Sequence, residues 1–228
     1  MMMLYRVLAR LLSYPDDGIC RALGEMREPV RATSALPANL RASLDGLIAD
    51  MRAADPLELQ EAYVATFDRM RSLSLHLFEH VHGDSRDRGP AMLDLVELYR
   101  QHGLDVTARE LPDYLPLFLE FLSVLPAEKA RQLLRDAGAI LAVLHDRLDK
   151  RKSPYRHVFA ALLHLAQAKA VARDEPVEEL DFAALDRAWE EAAVTFGPEG
   201  NPALDGGQDC GRASAMVARM NETPGTRR

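Results

Sequence analysis

Only two cysteines, Cys20 and Cys210, occur in the 228 residues, and they form no pairing pattern. A disulfide framework is therefore not expected, and a reduced, cytoplasmic compartment fits. No stretch reaches the ~20 consecutive apolar residues that a spanning helix requires, so stable membrane insertion is not expected. The opening run MMMLYRVLARLLSYP is interrupted by Arg6 and Arg10, and no A-x-A cleavage site follows. It reads as the first helix of the fold rather than as a signal peptide. Basic charge is also short. Lys and Arg number 28 against 35 Asp and Glu, a net charge of −7, which leaves no positive field for nucleic acid. Alternating period-two runs bounded by turns are absent, so no sheet is expected. The G-x-S-x-G, G-x-x-x-x-G-K and G-x-G-x-x-G patterns are absent too, which removes the familiar hydrolase and nucleotide loops.

What is present is helical spacing. The chain is 48% hydrophobic, and its apolar residues recur at three- and four-residue intervals almost throughout. Leu4, Leu8, Leu11 and Leu12 form the first stripe. Asp55-Pro56 opens a helix carrying Leu59, Tyr63, Phe67 and Met70 on one face. Gly89-Pro90 opens another, which Gly103 closes. Pro126 opens a long helix with the stripe Leu133, Ala137, Ile140, Leu141, Leu144 and Leu148, and Ser153-Pro154 starts the next. Asp181 starts a last helix containing Trp189, beside an acidic face between Asp174 and Glu191. The expectation is an all-α, single-domain bundle of eight or nine helices over residues 1–196. Residues 197–228 are rich in Gly and Pro and read as a flexible tail.

Two stretches invite a chemical reading. In SLHLFEHVHGDSRDRG, His76 and His80 are four apart and share a helix face, and Glu79 and His82 have the Glu-x-x-His spacing of bundle di-iron proteins. That spacing occurs once, without the second ligand set such a centre requires. A helical metal-binding enzyme built on His76, His80, His82 and Asp84 is thus the alternative. The favoured reading is a helix end running into a charged loop, with no metal. In ELPDYLPLFLEFLSVLP, Asp113 follows Pro112 in what reads as the first turn of a helix. This helix is apolar nearly all round, so it must be central. Pro116 within it leaves one backbone carbonyl unpartnered, and Glu120 stands between Phe118 and Phe121. Polar groups beside a central helix are candidates for lining a groove.

The segments LYRVLARLLSYP, EAYVATFDR, SLHLFEHVHGDSRDRGPAMLDLVELYRQHGL and PDYLPLFLEFL occur in this order. Together they resemble the NarJ-type chaperones, or delta subunits, of respiratory nitrate reductase, within the TorD/DmsD group of redox-enzyme maturation proteins. The likeness runs from about residue 4 to about residue 165. It implies an all-helical protein that is not an enzyme and holds no cofactor of its own. It implies a cytoplasmic chaperone that binds the N-terminal peptide of the nitrate reductase alpha subunit and the apoenzyme. Such a chaperone assists molybdenum cofactor insertion, in contact with the delivery machinery, before the membrane subunit is engaged. Pro112 and Asp113 match the wider group's Pro-Asp-His signature. Tyr114 replaces its histidine, as is common in the nitrate reductase branch.

A groove for a basic amphipathic helix needs apolar walls and acidic spots. Tyr63, Phe67, Tyr114, Phe118 and Phe121 are the expected walls. Asp68, Glu79, Asp84, Asp113 and Glu120 are the expected arginine partners. Arg86 and Arg88 complete the set and are the one pair nominated for touching a molybdopterin. Asp113→Ala or Tyr114→Ala is expected to weaken peptide binding with the fold intact.

Overall fold

The computed structural model describes residues 2–82, 88–106 and 110–168. Its elements are α1 (Met2–Leu11), α2 (Asp17–Ala32), α3 (Ala38–Ala53), α4 (Pro56–Tyr63), a π-helical turn (Val64–Asp68) and a 3-10 turn (Arg71–Leu73). The short α5 (Glu79–His82), α6 (Arg88–Gln101), α7 (Leu115–Val124), α8 (Ala127–Asp136), α9 (Gly138–Lys150) and α10 (Arg156–Ala166) follow. The fold is all-α in a single domain. No strand occurs among the described residues, and the nearest to one is a lone antiparallel bridge between His76 and Tyr114. The expected helix from Asp181, the acidic face and the tail at 197–228 lie outside the described residues.

Local chemistry explains the starts and stops. Asp16 caps α2 by accepting from the Ile19 N–H at 2.8 Å, and Asp55 caps α4 by accepting from Leu57 N–H at 2.8 Å. Gly103, at φ +77°, closes α6 in the left-handed conformation that glycine adopts without strain.

Helix α7 is the centre of the bundle. Leu115, Phe118, Leu119, Phe121 and Leu122 on it are all buried. It packs along α1, while α2 pairs with α3, α9 with α10, and α10 also meets α3 and α8. On the α2–α3 face, Asp45 accepts from both Arg27 and Arg31, with bidentate contacts of 2.8 Å to each. These hydrogen bonds hold its carboxyl well below the ordinary carboxylate range.

Three details differ from the sequence expectation. The long helix after Pro126 is two helices, because the backbone opens at Ala137 to ψ −5°. Gly138 follows, and a Cβ there would stand 3.1 Å from the Ala168 side chain, so the break admits the chain just beyond α10. Pro116 sits in the first turn of α7, where a missing N–H leaves no carbonyl without its partner. Asp113 precedes α7 and does not stand in its first turn.

Candidate functional site

The site is built where two irregular segments cross. Leu115 N–H donates to the Leu75 carbonyl at 2.8 Å, and Leu77 N–H donates to the Asp113 carbonyl at 3.0 Å. Residues 111–114 also close a turn, with Tyr114 N–H donating to Leu111 O at 3.0 Å. From below, the Tyr99 hydroxyl donates to Pro112 O at 2.8 Å. Residues 75–78 and 111–114 are not helical, so part of the backbone pairing of each comes from the other.

The crossing is locked by a carboxylate. The Asp113 side chain is 0% exposed. It accepts from Phe78 N–H at 3.1 Å and from the Nδ1 of His76 at 3.2 Å. The Arg88 guanidinium lies 3.7 Å from Asp113 and 3.3 Å from Glu79. A buried carboxylate is tolerable only when paired and hydrogen-bonded, and this one is both. The Asp113 hydrogen bond raises the pKa of His76 above its ordinary value. His80 behaves oppositely. Its Nε2 donates to Ser74 O at 2.7 Å, and burial lowers its pKa, favouring the neutral ring.

Above this lock lies a cleft of about 290 Å³, lined by Tyr14, Tyr63, Phe67, Asp68, Ser74, Leu75, His76, Glu110 and Tyr114. The Tyr63 hydroxyl donates to Leu12 O at 2.9 Å. Its proton thus committed, it accepts from the Tyr114 hydroxyl at 3.0 Å. Burial raises both phenols, Tyr114 to about 12 and Tyr63 further, so both stay neutral. The Tyr114 ring also lies against His76, with centroids 5.4 Å apart. Phe67 packs between Tyr63 at 5.1 Å and Tyr155 at 4.8 Å. The π turn, in which Arg69 N–H reaches back to Val64 O at 3.0 Å, keeps Phe67 buried while leaving Asp68 exposed at the mouth. Wide turns of this kind recur at functional sites.

The structure therefore brings Tyr63, Phe67, Asp68 and Tyr114 together on one cleft. Asp113 lies beneath it and does not line it, and Glu79 and Arg88 pair beside Asp113. Phe118 and Phe121 are buried in the core, the latter against Tyr99 at 4.7 Å. Glu120 pairs with Arg10 at 3.2 Å and does not line the cleft. Asp84 and Arg86 lie outside the described residues. Sequence reasoning missed Tyr14, Ser74, Leu75, His76 and Glu110 as lining groups. Tyr14 follows the first apolar stripe, and Glu110 stands just before Leu111-Pro112, neither in a pattern that marks a groove.

Among the described residues, no three His, Cys, Asp or Glu side chains converge on a metal position. His76 and His80 each commit a ring nitrogen, to Asp113 and to Ser74 O. No helix among the described residues is long and apolar enough to cross a membrane.

Comparison with known proteins gives these residues a context. Residues 33–161 match the family model described as nitrate reductase delta subunit. The nitrate reductase molybdenum cofactor assembly chaperone NarJ of Escherichia coli (strain K12) is 45% identical over 197 residues, covering 83% of each chain. The same organism's probable nitrate reductase molybdenum cofactor assembly chaperone NarW is 40% identical over 210 residues, covering 90% of this chain and 88% of the relative. The probable NarJ of Bacillus subtilis (strain 168) is 32% identical over 164 residues, covering 72% of this chain and 86% of its own. The chain belongs to the nitrate reductase delta subunit family, and the three relatives above are named as assembly chaperones.

Proposed function

We propose that this protein is a cytoplasmic assembly chaperone for respiratory nitrate reductase, and that its cleft takes the N-terminal peptide of the alpha subunit. By holding that peptide it keeps the apoenzyme open to molybdenum cofactor insertion and delays its docking on the membrane subunit. The observation that carries this reading is the lining of the cleft. Rigid aromatic rings from Tyr63, Phe67 and Tyr114 stand beside the carboxylates of Asp68 and Glu110. That combination suits a peptide bearing apolar and basic side chains. Aromatic anchors supply contact area with few rotors to freeze, and carboxylates select guanidinium or ammonium groups. The net charge of −7 favours encounter with a basic segment.

Calorimetry with a synthetic alpha-subunit N-terminal peptide tests the reading. Binding at micromolar concentration is expected, with about a tenfold loss in Tyr114→Ala. No heat of binding at tens of micromolar overturns it.

A further inference from the structure

The cleft does not end at Tyr14. On the far side of that ring a second hollow of about 440 Å³ opens along α4 and the π turn, walled by Leu57, Val64 and Ala65 and rimmed by Gln60, Glu61 and Arg69. Tyr14 borders both hollows. Its ring meets Tyr63 edge-on, with centroids 5.7 Å apart and an interplanar angle of 90°. The turn that carries it is tied down. Asp16 N–H donates to Tyr14 O at 2.8 Å, and the Gln60 side chain donates to Pro15 O at 3.1 Å. Tyr14 is thus a fixed ridge, 44% exposed, between two compartments.

The compartments differ in chemistry. The first carries Asp68 and Glu110, with His76 as its single basic group. In the second, Glu61 is offset by Arg69, and its most exposed apolar group is Leu57, at 69%. A lone exposed leucine is ordinary on a protein surface; this one stands at a hollow that also holds Val64 and Ala65, where an apolar side chain of a partner can be buried.

We infer that one continuous peptide segment straddles Tyr14, placing a basic side chain in the Asp68–Glu110 compartment and an apolar side chain in the Leu57 compartment. This rests on the reading of the cleft as a peptide site and adds how the peptide is recognised. Charge is read on one side of the ridge and hydrophobicity on the other. A segment with only one of the two features fills half the site. Because both hollows share one ring, the two anchors belong to one segment and not to two ligands.

Calorimetry with the alpha-subunit N-terminal peptide, and with single-alanine variants of its basic and apolar residues, tests this on the full chain. Leu57→Ala is expected to weaken the parent peptide about tenfold and to have no further effect on one apolar-to-alanine variant. Glu110→Gln is expected to be silent in the same way against one basic-to-alanine variant. Tyr14→Ala weakens the parent peptide, and Tyr14→Phe retains it. Leu57 and Tyr14 are exposed enough that unchanged thermal melts will show these variants to be folded. If the parent peptide binds the wild type but Leu57→Ala and Tyr14→Ala bind it equally well, the straddled ridge is wrong and the peptide site stands. If the wild type binds no peptide, both readings fall.

Discussion

The Tyr114 hydroxyl lies 3.0 Å from that of Tyr63, which in turn donates to the carbonyl of Leu12 at 2.9 Å. One proton chain thereby joins the end of α1, the end of α4 and the start of α7. Tyr63→Phe removes the middle link, leaves Leu12 O short of its donor and leaves Tyr114 without its acceptor. A loss of about 1–2 kcal/mol is expected in urea unfolding. Tyr114→Phe removes only the outer link and is expected to lose about 0.5–1 kcal/mol. The double variant should lose less than the sum, because the shared bond is counted in both singles. Strict additivity would show that the two hydroxyls do not interact in solution.

Asp113 was expected from sequence to bind peptide directly, with its removal leaving the fold intact. Its burial changes that expectation. Asp113→Ala strands the Phe78 N–H and leaves Arg88 with Glu79 alone, so a loss of about 3–5 kcal/mol is expected. Asp113→Asn keeps an oxygen for Phe78 and should lose about 1–3 kcal/mol. Equilibrium urea unfolding of both variants decides the matter. An alanine variant as stable as the wild type would show that Asp113 is not the lock of the crossing.

Why the sequence set Asp113 on the groove when it lies buried beneath the cleft, while Tyr63 lines it, is a matter of range. Helix starts are written locally. Asp55-Pro56, Gly103 and Pro126 each act through neighbours within four residues, and each boundary was legible. The all-α class and the central position of α7 followed from apolar spacing for the same reason. The crossing of residues 75–78 with 113–115 is irregular on both strands and spans nearly forty residues. No periodic pattern encodes it, so Asp113 read as a first-turn residue and an arginine partner. Phe118 and Phe121 read as groove walls because periodicity marks a face as apolar without saying whether protein or solvent covers it. Tyr14 escaped notice because its importance comes from Tyr63 and α4 approaching it in space. Ala137 sat on an unbroken stripe, and only the approach of Ala168 to Gly138 explains the break there.

Two glycines with open space around them should respond oppositely to alanine. Gly46 lies inside α3, and a Cβ there would meet nothing within 4 Å. Gly46→Ala gains helix propensity without a clash, and about 0.5–1 kcal/mol of added stability is expected. Gly103 also has open space, but its φ of +77° disfavours any Cβ. Gly103→Ala is expected to lose about 1 kcal/mol or more. Thermal melts of the two variants check this directly. A Gly46→Ala protein that melts below the wild type would show that α3 does not hold glycine on an open face.

His76 and His80 give the protein two opposed pH dependences. The Asp113 hydrogen bond raises the folded-state pKa of His76 above its ordinary 6.5, with burial, Glu79 and Arg88 as lesser influences. Its stabilisation is therefore complete below about 6.5 and is lost as pH rises through the higher folded value. Burial lowers the folded-state pKa of His80, and also those of His145 and His157. Their stabilisation is present above about 6.5 and is lost as pH falls through the lower folded values. In the wild type the two arms act on opposite sides of about pH 6.5. His76→Gln removes one arm only, so its stability should rise with pH up to about 6.5 and then level off, where that of the wild type falls as His76 loses its proton. Urea unfolding at steps between about pH 5.5 and 8 measures both slopes. Equal slopes would show that His76 gains no proton affinity from Asp113.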